Sequence, residues 1–194
     1  MVSRELFGTL RANFGFHSSW AFWGDMGERP KDGMDDLSIF GEEKLENTLR
    51  CLHTNFVIVA LNISKAIEVP LSNFHGKNGE VYKARYAFRD TPLYGGYITD
   101  VIKNFEEAKA QKMSDFLTKN KSFEQENIRM FEQELLELKS KDLTLVALGQ
   151  DVEDVLKRNS TEKYNIIKIP HYAWRGPKEA YREMVLRALN ENGF

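Results

Sequence analysis

Ten residues, Asn55-Phe-Val-Ile-Val-Ala-Leu-Asn62-Ile-Ser64, constrain the fold of this chain more than any other stretch. From Phe56 to Leu61 every position is apolar and many are β-branched, so both faces of the segment demand cover. Such a strand belongs inside a parallel sheet layered by helices, and it stops abruptly at Asn62. Three further runs share its character. Tyr94–Thr99 leads into Asp100, Leu143–Leu148 ends in Gly149-Gln150-Asp151, and Tyr164–Ile169 runs into Pro170-His171-Tyr172.

Amphipathic patterns separate these runs. Residues 3–14 predict a short helix capped by Ser3, with Leu6, Leu10 and Phe14 on one face. A helix over 42–53 places Leu45, Leu49 and Leu52 together. Residues 122–139 carry a capping-box pattern (Ser122, Gln125) and the inward row Ile128, Phe131, Leu135 and Leu138. Shorter helices are predicted over 151–158 and over 177–191, the latter opened by Pro177. An aromatic knot at 14–24 and a Gly/Pro-punctuated loop at 24–41 precede the first strand. Strand alternating with helix implies right-handed crossovers and a parallel sheet covered on both faces, the α/β class. With no repeat, linker or low-complexity tract, residues 1–194 read as a single domain, on which 1–41 pack as a helix and an aromatic loop.

Bulk properties narrow the function classes. A net charge of -2 provides no global drive toward nucleic acid, so any phosphate contact needs a local basic patch. The single cysteine, Cys51, excludes an intrachain disulfide, a four-cysteine zinc site and an iron–sulfur cluster. It falls in the 42–53 helix and reads as a packed thiol. His53 and His75 lack metal-ligand spacing, so neither a metal nor a cofactor is expected. No apolar run reaches membrane-spanning length, and Arg4, Glu5 and Arg11 interrupt any signal-like core. A cytoplasmic chain with no membrane partner is expected.

If the four strands are parallel, their carboxyl ends open on one edge, where α/β sheets bind ligands. That edge gathers Asn62 and Ser64, then Thr99, Asp100 and Lys103, then Gln150 and Asp151, and finally His171, Tyr172, Trp174 and Arg175. Each has a structural alternative: Asn62 as a turn residue, His171 bonded to a carbonyl, Phe74 in the core, Lys103 as a surface charge. His17, Trp20 and Trp23 form either an aromatic wall over the pocket or a strap in the core.

The pattern resembles the uracil-DNA glycosylase superfamily, whose three-layer α/β/α sandwich has a four-stranded, mostly parallel central sheet. Ala60-Leu-Asn62-Ile-Ser64 is similar to the GINPG motif of the mismatch-specific branch, in which the Asn positions the attacking water. Tyr97-Ile-Thr99-Asp100-Val-Ile-Lys103 looks like the ITNVVK segment of the thermostable branch, whose Asn reads the pyrimidine edge. Pro170-His171-Tyr-Ala-Trp174 stands where the family has HPS, with a histidine that stabilises the leaving base and a loop that enters DNA. Asn73-Phe74-His75-Gly76 lies where an aromatic often stacks on the flipped base.

The resemblance implies an N-glycosylase, a hydrolase of DNA repair, with Asn62 and His171 catalytic. It implies contacts to substrate by Ser64, Phe74, Thr99, Asp100, Lys103, Trp174 and Arg175, and DNA or a nucleotide or base as the partner. The chain departs from the pattern at Ile63-Ser64 for Pro-Gly, at Asp100 for Asn, and at Tyr172-Ala173 for Pro-Ser. A carboxylate accepts without donating, so Asp100 suits an exocyclic amino group rather than the carbonyls of uracil. A non-catalytic module that recognises a nucleotide or modified base is the competing expectation. A flavodoxin-like phosphate binder is a weaker one, because no glycine follows Asn62 before Gly76.

Overall fold

A computed structural model describes residues 1–103, 105–160 and 163–194. Its helices are α1 (Arg4–Phe14), α2 (Glu42–Cys51), α3 (Tyr82–Phe88), α4 (Ala110–Lys119), α5 (Lys121–Glu137), α6 (Gln150–Ser160) and α7 (Lys178–Glu191). Its strands are β1 (Ser18–Trp20), β2 (His53–Asn62), β3 (Gly96–Ile102), β4 (Thr144–Leu148) and β5 (Asn165–Ile169). The sheet runs β1-β3-β2-β4-β5, with β2 to β5 mutually parallel and β1 antiparallel to β3.

The four apolar runs are therefore the four parallel strands, and the central sheet has five strands rather than the four expected. The extra strand is Ser18-Ser19-Trp20, in the segment read as an aromatic loop. It pairs Ser18 with Thr99 and Trp20 with Tyr97 along the β3 edge. Three residues are too few to display a period of two, so the sequence carried no strand signal there.

Burial explains why β2 is apolar on both sides. Val57, Val59 and Leu61 face a cluster built with Phe7, Leu10, Leu45, Phe131, Leu135 and Val155, from helices α1, α2, α5 and α6. Phe56, Ile58 and Ala60 face the other cluster, with Ala84, Phe88, Tyr181, Val185 and Leu189 from α3 and α7. Each Val, Leu, Ile or Phe among them contributes roughly 1.5–3 kcal/mol when fully withdrawn from water. Helices thus cover both faces, and among the described residues none is long and apolar enough to cross a membrane.

Several helix ends depart from the sequence reading: α2 stops at Cys51, whose thiol is exposed rather than packed, and α7 starts at Lys178 behind Pro177. Ser122 does not cap α5, which begins one residue earlier at Lys121 behind Asn120. Asn120 closes α4 instead, its side-chain amide donating to the Phe116 carbonyl at 2.8 Å. The two helices meet at that one residue, which leaves Ser122 inside the first turn. Ser3 does cap α1, accepting from the Leu6 amide at 3.1 Å.

Geometry requires glycine at position 95. Gly95 has φ +85°, and an added Cβ would lie 2.0 Å from the Cys51 carbonyl oxygen. Its amide donates to Ala21 at 2.9 Å, and its carbonyl accepts from His53 at 3.0 Å, so it joins the entry of β3 to both neighbouring strands. Gly95→Ala is expected to cost at least ~2 kcal/mol, read as a lower urea midpoint. An unchanged midpoint would mean that this junction relaxes freely.

Candidate functional site

β2 lies at the point where the chain reverses its direction of travel across the sheet. From it the chain passes to β3 on one side, then crosses to β4 on the other. Adjacent crossovers on opposite sides leave a crevice beyond the carboxyl ends of β2 and β4. A cavity of about 470 Å³ occupies that crevice. Its wall takes Ala60–Ser64 from β2 and its exit, Asp100 from β3, Gly149–Val152 from the turn into α6, and His171–Ala173 from the segment after β5. The loop after β2 adds Asn73 and Phe74, and the segment before α4 adds Glu107 and Ala108. A larger hollow of about 820 Å³ lies among the amino ends of the strands, near Asn55, Thr144 and Asn165. That second hollow contains none of the candidate residues.

Five of the nine sequence candidates line the crevice together: Asn62, Ser64, Phe74, Asp100 and His171. Asn62 and His171 come from the ends of β2 and the β5 exit, more than a hundred residues apart in the chain. The Asn62 amide nitrogen donates to the carbonyls of Ile63 (2.8 Å), Phe105 (3.2 Å) and Glu107 (2.8 Å). Three carbonyls around that nitrogen fix the orientation of the amide, and among the described residues none donates to its oxygen. The same bonds hold the 105–107 segment against the site.

His171 is oriented just as definitely. The Ala173 amide donates to its Nδ1 at 3.1 Å, which makes Nδ1 the bare nitrogen and puts the proton on Nε2. Burial holds its pKa below the ordinary histidine value, so the ring is neutral at neutral pH. Tyr172 packs against the imidazole, with ring centres 4.2 Å apart. The side chain is therefore a neutral Nε2–H donor.

Phe74 holds a left-handed backbone, φ 63°, uncommon for a bulky residue and worth about 1–3 kcal/mol of strain. Its carbonyl accepts from the Trp23 indole at 3.0 Å. Leu71, also left-handed at φ 69°, receives the Ser19 hydroxyl on its carbonyl at 2.8 Å and donates its amide to Gly15 at 2.7 Å. The aromatic segment is thus a strap that holds the 71–75 loop in place, and His17, Trp20 and Trp23 do not line the cavity. Trp20 lies in the core beside Phe7 and Tyr97.

Asp100 is buried, and burial pushes its carboxyl up to about 7, against the opposing pull of a hydrogen bond from Asn73 and the charge of Lys103. Asn73 donates to the carboxyl at 2.6 Å and to the His17 carbonyl at 2.9 Å. The remaining candidates lie elsewhere. Thr99 and Lys103 turn toward α5, where the Lys103 ammonium pairs with Glu134 and donates to Thr99 and to the Asp100 carbonyl. Trp174 and Arg175 are exposed beyond the cavity wall. Two residues the sequence reading missed, Asn73 and Glu107, line the cavity. Asn73 was visible only as the neighbour of Phe74, and Glu107 follows no strand end.

Asp100 and His75 give folding opposite pH dependences. Between about pH 4 and 7 native Asp100 keeps a proton that the unfolded chain releases, so its contribution falls as pH rises. Buried His75, held down to about 4, stays neutral where the unfolded chain is protonated, so its contribution rises from about pH 4 to 6.5. Asp100→Asn removes only the first. Relative to the parent, the variant is expected to gain about 2 kcal/mol between pH 5 and 8 in urea unfolding. Parallel stability curves would contradict the buried, protonated carboxyl.

No metal site is evident either: among the described residues no group of three or more His, Cys, Asp or Glu could hold a metal ion. None of the described residues lining the crevice is a lysine or arginine. Compared with protein-family models, curated proteins and solved structures, the chain matches none.

Proposed function

We propose that the crevice binds a nucleobase and that the chain hydrolyses a base–sugar bond in the manner of the uracil-DNA glycosylase superfamily. The observation that carries this reading is the meeting of Asn62 and His171 in one cavity, beside an aromatic ring, Phe74. A cavity whose wall mixes apolar residues with carboxylates and amides, and has no cation among its described lining residues, suits an uncharged heterocycle better than a phosphate. That weakens the flavodoxin-like alternative and leaves DNA phosphates to be held outside it.

The chemistry asks for three things, and each has a residue. The bond from the anomeric carbon to the base nitrogen breaks with its electron pair going to the base. Positive charge grows on the sugar and negative charge on the base. The Nε2–H of His171 can donate to the departing anion, an interaction worth about 3 kcal/mol in the transition state. The Asn62 oxygen can hold the water whose oxygen bonds to the anomeric carbon, with the proton lost to solvent or to a cavity carboxylate. Phe74 is packed in the apolar cluster with Trp23 and Phe88 as well as in the cavity wall, so it can give the base an apolar contact that offsets part of the few kcal/mol spent in extruding it.

The second reading, a binding module without catalysis, draws on the Asn62 amide nitrogen, which holds the 105–107 segment. Duplexes carrying uracil, hypoxanthine, xanthine or mismatched bases separate the two. Free base and an intact strand with an alkali-labile abasic site are the expected products. Saturable binding of a base or nucleotide, with no release from any duplex or nucleoside, would replace the enzyme by the module.

A further inference from the structure

We propose that the cavity prefers a heterocycle with an exocyclic amino group beside a ring nitrogen, a cytosine- or adenine-type edge, over its carbonyl counterpart. The inference rests on the base-binding reading above and comes from counting side-chain donors and acceptors around the wall. Three side-chain amides line the crevice, and the NH₂ of each is spent on the protein. Asn62 gives its NH₂ to backbone carbonyls. Asn73 gives its own to Asp100 and the His17 carbonyl, and Gln150 to Glu153 and Asp154. What Asn62 and Asn73 can still offer is a carbonyl oxygen.

Carboxylates add to the excess of acceptors. Asp100, Glu107 and Asp151 all belong to the wall, with no lysine or arginine among the described lining residues. The side-chain donors in the wall are the Nε2–H of His171 and the hydroxyls of Ser64 and Tyr172, and a hydroxyl also accepts. A ligand that brings N–H groups satisfies this wall. One that exchanges the amino group for a carbonyl brings one N–H in place of two and turns its oxygen toward acceptors, a mismatch that sites use to reject close analogues.

Asp100 is the most buried polar residue of this wall. Ionised, its carboxylate accepts from an amino group. Protonated, it donates its O–H to a ring nitrogen and accepts from the adjacent amino group, so an amino-bearing edge fits either state. A carbonyl-bearing edge can give the carboxylate its one ring N–H, but it sets its oxygen against the other acceptors of the wall. Asn73 anchors the carboxyl, while Lys103 and Glu134 lie behind it on the α5 side and Tyr172 faces it from the β5 exit.

Binding of four free bases to the intact chain at pH 8 tests this: cytosine against uracil, and adenine against hypoxanthine, by calorimetry or ligand-observed NMR. Each amino member is expected to bind at least ~10-fold more tightly than its partner. Asp100→Asn, with shape kept and one acceptor turned into a donor, is expected to narrow or invert the ratio. Equal or tighter binding of uracil and hypoxanthine by the wild type, with His171→Ala weakening both, would overturn the preference and leave the base-binding reading standing. Failure of all four to bind would sink both. The wild-type comparison decides the matter without depending on a variant that folds.

Discussion

Glu134→Ala is expected to destabilise the fold by about 3–5 kcal/mol, among the largest single effects in the molecule. Glu134 is fully buried on α5, and it accepts from the Tyr97 phenol at 2.7 Å and the Thr99 hydroxyl at 3.0 Å while pairing with the Lys103 ammonium. Burial, together with the carboxylate beside it, holds the Tyr97 phenol well above the ordinary tyrosine range, so it remains a donor. Truncating the glutamate strands a buried cation and two hydroxyls. Replacing both charges by apolar residues, Lys103→Met with Glu134→Leu, is expected to recover most of that loss, because two desolvation costs vanish together. Urea unfolding of the single and double variants provides the check. A loss below ~1 kcal/mol for Glu134→Ala would mean that water reaches the pair.

His171→Ala is expected to slow base release by about 10²-fold, the cost of one aimed donor to a developing anion. The fold should be little affected, because the ring stands at a cavity wall rather than within either apolar cluster. The ratio of wild-type to variant rates should stay flat between pH 7 and 8.5. Burial lowers the His171 pKa and the Ala173 amide fixes its bare nitrogen, so the donor is already neutral there. A ratio that falls as pH rises through 7 would point instead to an imidazolium. Asp100 titrates in the same cavity, and taking the ratio removes its contribution.

How much of this the sequence disclosed follows from the lengths of its signals. Phe56–Leu61 and its three companions were readable as buried strands because unbroken apolar runs have no other economical place. β1 was not, since Ser18-Ser19-Trp20 takes its identity from the β3 edge rather than from its own residues. α3 was hidden for a different reason. It buries Lys83 and Arg85, and the Arg85 guanidinium donates to the Pro30 and Asp32 carbonyls at 2.7 Å, pinning the loop before α2. Cations on an inward face erase the apolar period on which helix recognition depends.

The site was legible in the same uneven way. A polar residue at a strand end marks an edge, and that sufficed to bring Asn62, Asp100 and His171 together. It did not separate Thr99 from Asp100, which are adjacent in the chain and project to opposite faces of β3. The hydroxyl and its companion Lys103 serve the ion pair under α5, whereas the carboxyl serves the cavity. Glu107 reaches the wall through a segment that Asn62 holds in place, a long-range contact invisible in any local pattern.

The central claim is that Asn62 and His171 act together on a base in this crevice. Base release from damaged or mismatched duplexes, followed for wild type, Asn62→Ala and His171→Ala purified in parallel, tests it most directly. The expected result is release by the wild type and a loss of about 10²-fold or more in each variant. Equal traces of release by all three proteins would contradict it.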